Sequence, residues 1–368
     1  MEELLSRRLP VFVGRGMEQS LISETVAGDG RPVVLIMGGA GIGKTCLLEE
    51  VERIVEEING KGGNILCLPI LDFYDTSIHS ESAIEEAIYR NLVEHGIDHA
   101  FDEFREKLIE CREGRISEKQ VWEAFKAGYD KICHDRRIVL RFDTAEILEY
   151  EHDDPAVLED CDISGLEAPS LGWLAEKAPQ LQNTAIFIAS RPNEELRKRL
   201  EGAYGSTLEL IELEELTLGE TRSYFQEAGD FGREVLASSP EMAEKIWLLS
   251  GGRPIFISLS LDWLWRGMWD EKVYAVDVAA LRGIQKQGGE EWEDIKRSFR
   301  IALVQKFREI DSSLDKAAYY AARARKGCNA KLLARMMGVS DQEAGKLASQ
   351  LMGLSFVKQP HMLPTWRA

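Results

Sequence analysis

Eight residues, Gly38-Gly39-Ala40-Gly41-Ile42-Gly43-Lys44-Thr45, constrain this chain more than any others. They follow Val33-Val34-Leu35-Ile36-Met37, an apolar run rich in β-branched residues that predicts a buried strand. They lead into Cys46-Leu47-Leu48-Glu49-Glu50-Val51-Glu52, whose apolar spacing predicts a helix. Strand, glycine-rich turn and helix form the context that a G-x-x-x-x-G-K-[ST] match needs to be a phosphate-binding loop. The glycines let successive backbone N–H groups converge on an anion, and the helix N-terminus adds partial positive charge. Lys44 is placed to reach β- and γ-phosphates, and the Thr45 hydroxyl to complete a magnesium shell. The predicted ligand is a nucleoside triphosphate.

Length argues for more than one core, because 368 residues suggest two or three domains. An apolar fraction of 44% and a charged fraction of 29% belong to the globular class, and no apolar run reaches membrane-spanning length. The acidic opening Met1-Glu2-Glu3 has no apolar segment after it, so no signal peptide is predicted. Cys46, Cys67, Cys111, Cys133, Cys161 and Cys328 are scattered with no C-x-x-C pair, which fits reduced thiols in a cytoplasmic protein. A formal charge of −18 argues against the whole chain being an electrostatic nucleic-acid binder. From residue 311 onward, however, nine basic residues face four acidic ones, so that segment carries about +5.

Further along, Asn64–Ile70 predicts a second strand, and residues 81–133 predict two or three helices with Trp122 and Phe125 at core spacing. Arg137–Asp143 is an apolar strand ending in an acid, and a carboxylate there lies at the ligand edge of a parallel sheet. Its bland alternative is a cap for the next helix. No acid follows Asp143 directly; Glu146 is the nearest candidate to orient an attacking water. Arg141 lies inside this strand and needs partners if it is buried. Residues 149–167 are acidic and predict a solvated loop. A helix near Leu171–Ala178 precedes the strand Thr184–Ser190, after which Arg191 is placed to sense a γ-phosphate or to pair with a surface acid. Thr207–Leu213 alternates polar and apolar and closes the sheet as an edge strand.

Beyond Leu216 helices take over. Gly251-Gly252-Arg253-Pro254 ends one helix and starts the next, and Trp263, Trp265 and Trp269 predict a helical core. Helices near 313–323, 331–337 and 341–351, the third opened by Ser340-Asp341-Gln342-Glu343, precede a strand-like Ser355–Lys358. Three helices and a β-wing predict a winged helix.

Together these segments resemble the STAND class of signalling ATPases, which holds the NACHT and AP-ATPase proteins, over almost the whole chain. Phe12-Val13-Gly14-Arg15-x-x-Glu18 is similar to the family segment before the first strand. Gly38–Thr45 is similar to Walker A, Ile138–Asp143 to Walker B, Ser190-Arg191 to the γ-phosphate sensor and Gly252-Arg253-Pro254 to the family G-x-P. The resemblance implies an α/β fold: a P-loop NTPase parallel sheet flanked by helices over 1–214, a small helical domain over 215–308 and a C-terminal winged helix over 309–368. It implies ATP or ADP with Mg2+, held by Val13, Gly14 and Arg15, by Gly39, Ala40, Gly41, Ile42, Gly43, Lys44, Thr45 and Cys46, and by Pro254 against adenine. Thr45 and Asp143 would hold magnesium, with Lys44, Asp143, Glu146 and Arg191 as the catalytic set.

The family works as a switch in which an ADP-bound closed form exchanges to an ATP-bound form that assembles with copies of itself and engages an effector. This sequence carries no effector domain before the ATPase and no repeats after it, as expected of a short form or of a regulatory core from a longer protein. The family's ADP-contacting histidine has no matching counterpart here: His361 lies where the wing is expected, but its neighbours differ from the family's. The trigger and the effector are not named by the sequence. An alternative is a DNA-binding ATPase similar to archaeal Orc/Cdc6 initiators, supported by the basic C-terminal segment. Against it, Asp341 and Glu343 sit at the end of the helix that would enter the major groove. A metabolic kinase lacks a visible acceptor site.

Overall fold

The computed structural model describes residues 12–148, 169–268, 276–310, 312–323, 328–352 and 354. The chain is α/β, with a parallel sheet and flanking helices followed by a helical C-terminal region. Six strands run β2 (Ile65–Cys67), β4 (Arg137–Asp143), β5 (Thr184–Ser190), β1 (Val33–Gly38) and β6 (Leu208–Leu213), while β3 (Leu71–Asp72) pairs with the end of β4. Every pairing is parallel. Val33 of β1 faces Ile186 on one side and Leu208 on the other, and β1, β4 and β5 are buried along their whole length. Continuous apolar runs are what a strand covered on both faces requires. The alternating β6 is the outer strand, as its sequence predicts.

Compactness divides the chain into two units. One holds Gly16–Ala40 and Lys44–Leu213; the other holds the described residues up to Arg15, then Gly41–Gly43, and the chain from Glu214 onward.

In the sheet-bearing unit, α1 (Gly16–Ala27) precedes β1, and α2 (Lys44–Gly60) buries Leu47, Leu48, Val51, Ile54 and Val55, one helical stripe. Then α3 (Glu81–Glu94), capped by the Ser80 hydroxyl, α4 (Asp102–Arg112) and α5 (Glu118–Cys133) form the crossover between β3 and β4. Trp122 and Phe125 of α5 are buried at the predicted core positions. Where one helix is predicted near 171–178, the chain makes a short α6 (Pro169–Gly172) and then a wide five-residue π-turn, Trp173–Lys177. Helix α7 (Glu194–Tyr204), capped by Asn193, leads to β6.

Strand β4 carries two buried arginines. The Arg141 guanidinium donates to the carbonyls of Leu48 and Leu68 and pairs with Glu52 Oε2 at 2.8 Å, meeting the need for partners that its position creates. Arg137 donates to the Gly30 and Thr25 carbonyls and to Asn183 Oδ1; burial lowers its pKa.

The second unit is helical: α8 (Leu218–Glu227), α9 (Asp230–Ser238), α10 (Met242–Ser250) and α11 (Pro254–Trp265), then helices over Val278–Gln287, Glu290–Ile310, Leu314–Arg323, Ala330–Met337 and Asp341–Met352. One hydrophobic cluster joins Phe225, Ile246, Ile257, Leu303, Leu314, Leu333 and Leu347. The boundary at Gly251–Pro254 forms as predicted: Gly251 is left-handed after α10, and Pro254 opens α11. Trp263 is buried, with Nε1 donating to Leu303 O at 3.0 Å. The three helices of the predicted winged helix are present. The wing at 355–358, His361, Trp269 and the acidic run 149–167 lie outside the described residues. No helix among the described residues is long and apolar enough to cross a membrane.

Candidate active site

Strand β1 delivers the glycine-rich loop to the carboxyl edge of the sheet, and α2 begins at Lys44 directly after it. Gly41 and Gly43 take left-handed conformations, with φ of 71° and 102°. A bend of this kind turns loop amides inward. Lys44 Nζ donates to the carbonyls of the loop it leaves, Gly38 O at 2.7 Å and Gly39 O at 3.1 Å. One residue on, Thr45 Oγ1 donates to Asp143 Oδ2 at 2.7 Å. Two segments 98 residues apart thus put the two predicted magnesium-holding oxygens in contact. Cys46, half-buried in the first turn of α2, continues the helix behind them.

Asp143 closes β4 and is 3% exposed. Its Oδ1 accepts from Thr144 N at 2.8 Å, so the two oxygens are divided between a backbone amide and the Thr45 hydroxyl. Thr144 adopts φ 63°, an outlying conformation for a β-branched residue. Its hydroxyl donates to Asp72 Oδ1 at 2.8 Å, and Tyr74 N donates to the same oxygen at 3.1 Å. Asp72 is aligned with Asp143 in the β3–β4 register.

Glu146 lies on the turn Ala145–Leu148, and Arg191 follows the end of β5. They hold each other: Arg191 N donates to Glu146 Oε2 at 3.0 Å, and Arg191 Nε lies 3.3 Å from Glu146 Oε1. Ser190, fully buried, turns its hydroxyl to the Arg191 carbonyl.

Of the other predicted ligand contacts, Val13, Gly14, Arg15, Gly41, Ile42, Gly43 and Pro254 lie in the helical unit. There Ile255 N donates to Gly41 O at 3.2 Å, and a Cβ at Gly41 would overlap the Ile255 side chain. Arg15 donates to Glu214 O at 2.5 Å and to Ile42 O at 3.5 Å, and its backbone N–H reaches Glu220 Oε1 at 3.4 Å. Gly14 and Arg15 are both left-handed, and a Cβ at Gly14 would collide with Glu220. Glu220 is also the acid of the α8 capping box, bound by Thr217. Burial opposes its ionisation, but the hydrogen bonds from Thr217 and Arg15 outweigh that and hold its carboxyl below the usual range. Val13 is buried beside this turn, and Pro254 is half-buried at the start of α11. Gly39 and Ala40 are exposed in the sheet-bearing unit.

The donor set fits a magnesium nucleotide. A lysine bound to carbonyls of its own loop can exchange them for phosphate oxygens, and a hydroxyl beside a carboxylate supplies the hard oxygens that magnesium takes. Sequence reasoning missed Asp72 and the acid Glu220. A signal for Asp72 was present: the run Leu66–Leu71 also ends in an acid, the pattern that marks Asp143.

No protein-family model matches the chain, and no curated protein matches it. Solved structures similar to it include Cdc6p from Pyrobaculum aerophilum, at 14% identity over 75% of this chain and 67% of that one, with a TM-score of 0.43. The Aeropyrum pernix Orc2 protein in its ADP form is 13% identical over 96% of this chain and 89% of that one, with a TM-score of 0.45. A RuvB variant from Thermotoga maritima is 15% identical over 97% and 94%, with a TM-score of 0.40. At these identities and TM-scores the likeness assigns no activity to this chain.

Proposed function

We propose that this protein binds ATP with magnesium and hydrolyses it slowly, as a nucleotide-dependent switch. The observation that carries the reading is the 2.7 Å contact between Thr45 Oγ1 and Asp143 Oδ2 beside the phosphate loop. Thr45 and Asp143 would hold the magnesium, which neutralises phosphate charge when bound. Lys44 would turn from Gly38 O and Gly39 O to the β- and γ-phosphates. Glu146 would position the attacking water and Arg191 would contact the γ-phosphate. In this conformation both are engaged with each other, so each must leave its partner before it can act. That exchange supports slow turnover, since an unpositioned water costs rate and not binding. It also supports a conformation that depends on the terminal phosphate, with an ADP-bound closed form and an ATP-bound form that assembles with copies of itself. Val13, Gly14, Arg15 and Pro254 are the proposed contacts to the rest of the nucleotide.

A second reading of the output, DNA binding through the C-terminal helices, has its support in the +5 charge of that segment. The first turn of the helix Asp341–Met352 carries Asp341 and Glu343, which opposes it.

Titration of the full chain with a fluorescent ATP analogue, with molar mass measured before and after ATP, tests the proposal. Binding is expected in the parent and lost by at least about 100-fold in Lys44→Ala. A parent that binds no nucleotide overturns the reading. ATP binding with unchanged mass and salt-sensitive association with duplex DNA would replace the switch with the DNA-bound output.

A further inference from the structure

We infer that Asp72 is a positioning residue for the magnesium-binding carboxylate of Asp143 and acts through Thr144; this rests on the magnesium–nucleotide reading above. Four residues form one chain of contacts. Asp72 Oδ1 accepts the Thr144 hydroxyl at 2.8 Å, the Thr144 amide donates to Asp143 Oδ1 at 2.8 Å, and Asp143 Oδ2 accepts the Thr45 hydroxyl at 2.7 Å. The β3–β4 register places Asp72 beside Asp143, and residues paired in parallel register share a face of the sheet.

Thr144 is the joint of this arrangement. Among the described residues only Arg15, Thr144 and Asn183 have positive φ without being glycine, and Thr144 alone of these is β-branched. A left-handed threonine persists only where its surroundings hold it. Two groups do so here: Asp72 holds its hydroxyl, and Asp143 Oδ1 holds its amide. Ile147 N, which donates to Thr144 O at 3.3 Å, ties the turn onward toward Glu146. Without Asp72, Thr144 relaxes toward negative φ and its amide swings off Asp143 Oδ1. The carboxylate then loses one of its fixed donors, and the aim of Oδ2 beside Thr45 loosens.

The test is the magnesium coupling of nucleotide binding: the affinity of a fluorescent ADP with magnesium, divided by its affinity in EDTA. Residues that orient a metal ligand from behind cost about 10- to 100-fold in metal affinity when removed. Asp72→Ala is therefore expected to lower the coupling about 10-fold or more while the EDTA affinity stays at the parental value. Asp72→Asn keeps an oxygen acceptor and is expected to stay within about 3-fold of the parent. Thr144→Gly adopts the left-handed conformation unaided, so adding it to Asp72→Ala should restore most of the coupling. Thermal melts of each variant confirm that it is folded. Equal losses with and without magnesium in Asp72→Ala overturn the inference in favour of a merely structural acid. Asp72→Asn as weak as Asp72→Ala overturns it in favour of a direct charge effect. A parent whose nucleotide affinity ignores magnesium overturns the magnesium reading itself, and the inference with it; normal parental coupling with normal Asp72→Ala coupling overturns the inference alone.

Discussion

Two glutamates of the sheet-bearing unit each hold a cation, and they differ in what surrounds them. Glu146 and Arg191 meet at the carboxyl edge of the sheet, with side chains 17% and 55% exposed. Glu85 and Lys177 meet between α3 and the Trp173–Lys177 turn, with side chains 0% and 13% exposed. Lys177 Nζ lies 2.9 Å from Glu85 Oε1 and 2.9 Å from Glu81 Oε2, and 5.1 Å from the centre of the Trp122 ring. Burial pushes the Glu85 carboxyl up to about 7 against the opposing pull of Lys177. Burial works against the Lys177 charge too, but its two glutamates prevail and raise its pKa. The buried Trp173 indole adds a weaker pull toward the ionised form of Glu85. A pair so enclosed cannot open without stranding a charge in the core, so it serves to hold two elements together. A pair at an exposed edge has water as an alternative partner, so it can open at little cost.

The largest effect that would break this comparison is in Lys177→Met. At pH 8 it leaves the Glu85 carboxylate buried without its cation, and urea unfolding should show a loss of about 3–5 kcal/mol. At pH 5.5 Glu85 holds its proton, and the loss should be much smaller. Equal losses at both pH values would mean that Glu85 does not change its charge between them in the folded protein.

A somewhat smaller effect sharpens the same point. The folded carboxyl of Glu85 titrates near 7, above its ordinary 4.5. Between these values the folded protein keeps a proton that the unfolded chain has released. The contribution is therefore complete below about pH 4.5 and fades as pH rises through about 7, by up to about 3 kcal/mol. Glu85→Gln should flatten this part of the stability profile. A parent profile that shows no fall over this range, or one that Glu85→Gln leaves unchanged, removes the titrating group from the core.

The contrast between the two pairs was only half legible in the sequence. Glu146 and Arg191 stood out because each lies just beyond an apolar strand, a place set by the strand itself. The strands β1, β4, β5 and β6 were readable for the same reason: long apolar or alternating runs have few other uses. Glu85 and Lys177 are about ninety residues apart and look like ordinary surface charges, since their meeting depends on how α3 and the Trp173–Lys177 turn pack. The β3 strand is two residues long, too short for any periodicity, so the acid ending Leu66–Leu71 is the one sequence signal for Asp72, and its register with Asp143 comes from the fold. Thr144 was unreadable because nothing in its identity suggests a left-handed backbone. What the sequence marked was the polar residues at the carboxyl edge of the sheet; what it hid was the support behind them.

The smallest expected change in stability belongs to Glu146→Gln, and it separates structural from functional pairing. An ion pair whose arginine is mostly solvated contributes about 0–1 kcal/mol, so the midpoint in urea should hardly move. Glutamine keeps an oxygen for the Arg191 amide but cannot take a proton from water. Fluorescent ATP should bind with parental affinity, while single-turnover hydrolysis should slow by about 100-fold or more. Turnover at the parental rate would remove Glu146 from the chemistry. A stability loss matching that of Lys177→Met would mean that the edge pair is as structural as the buried one. Loss of hydrolysis with stability and binding intact would place the functional load on the pair that the fold can spare, and the structural load on the pair it cannot.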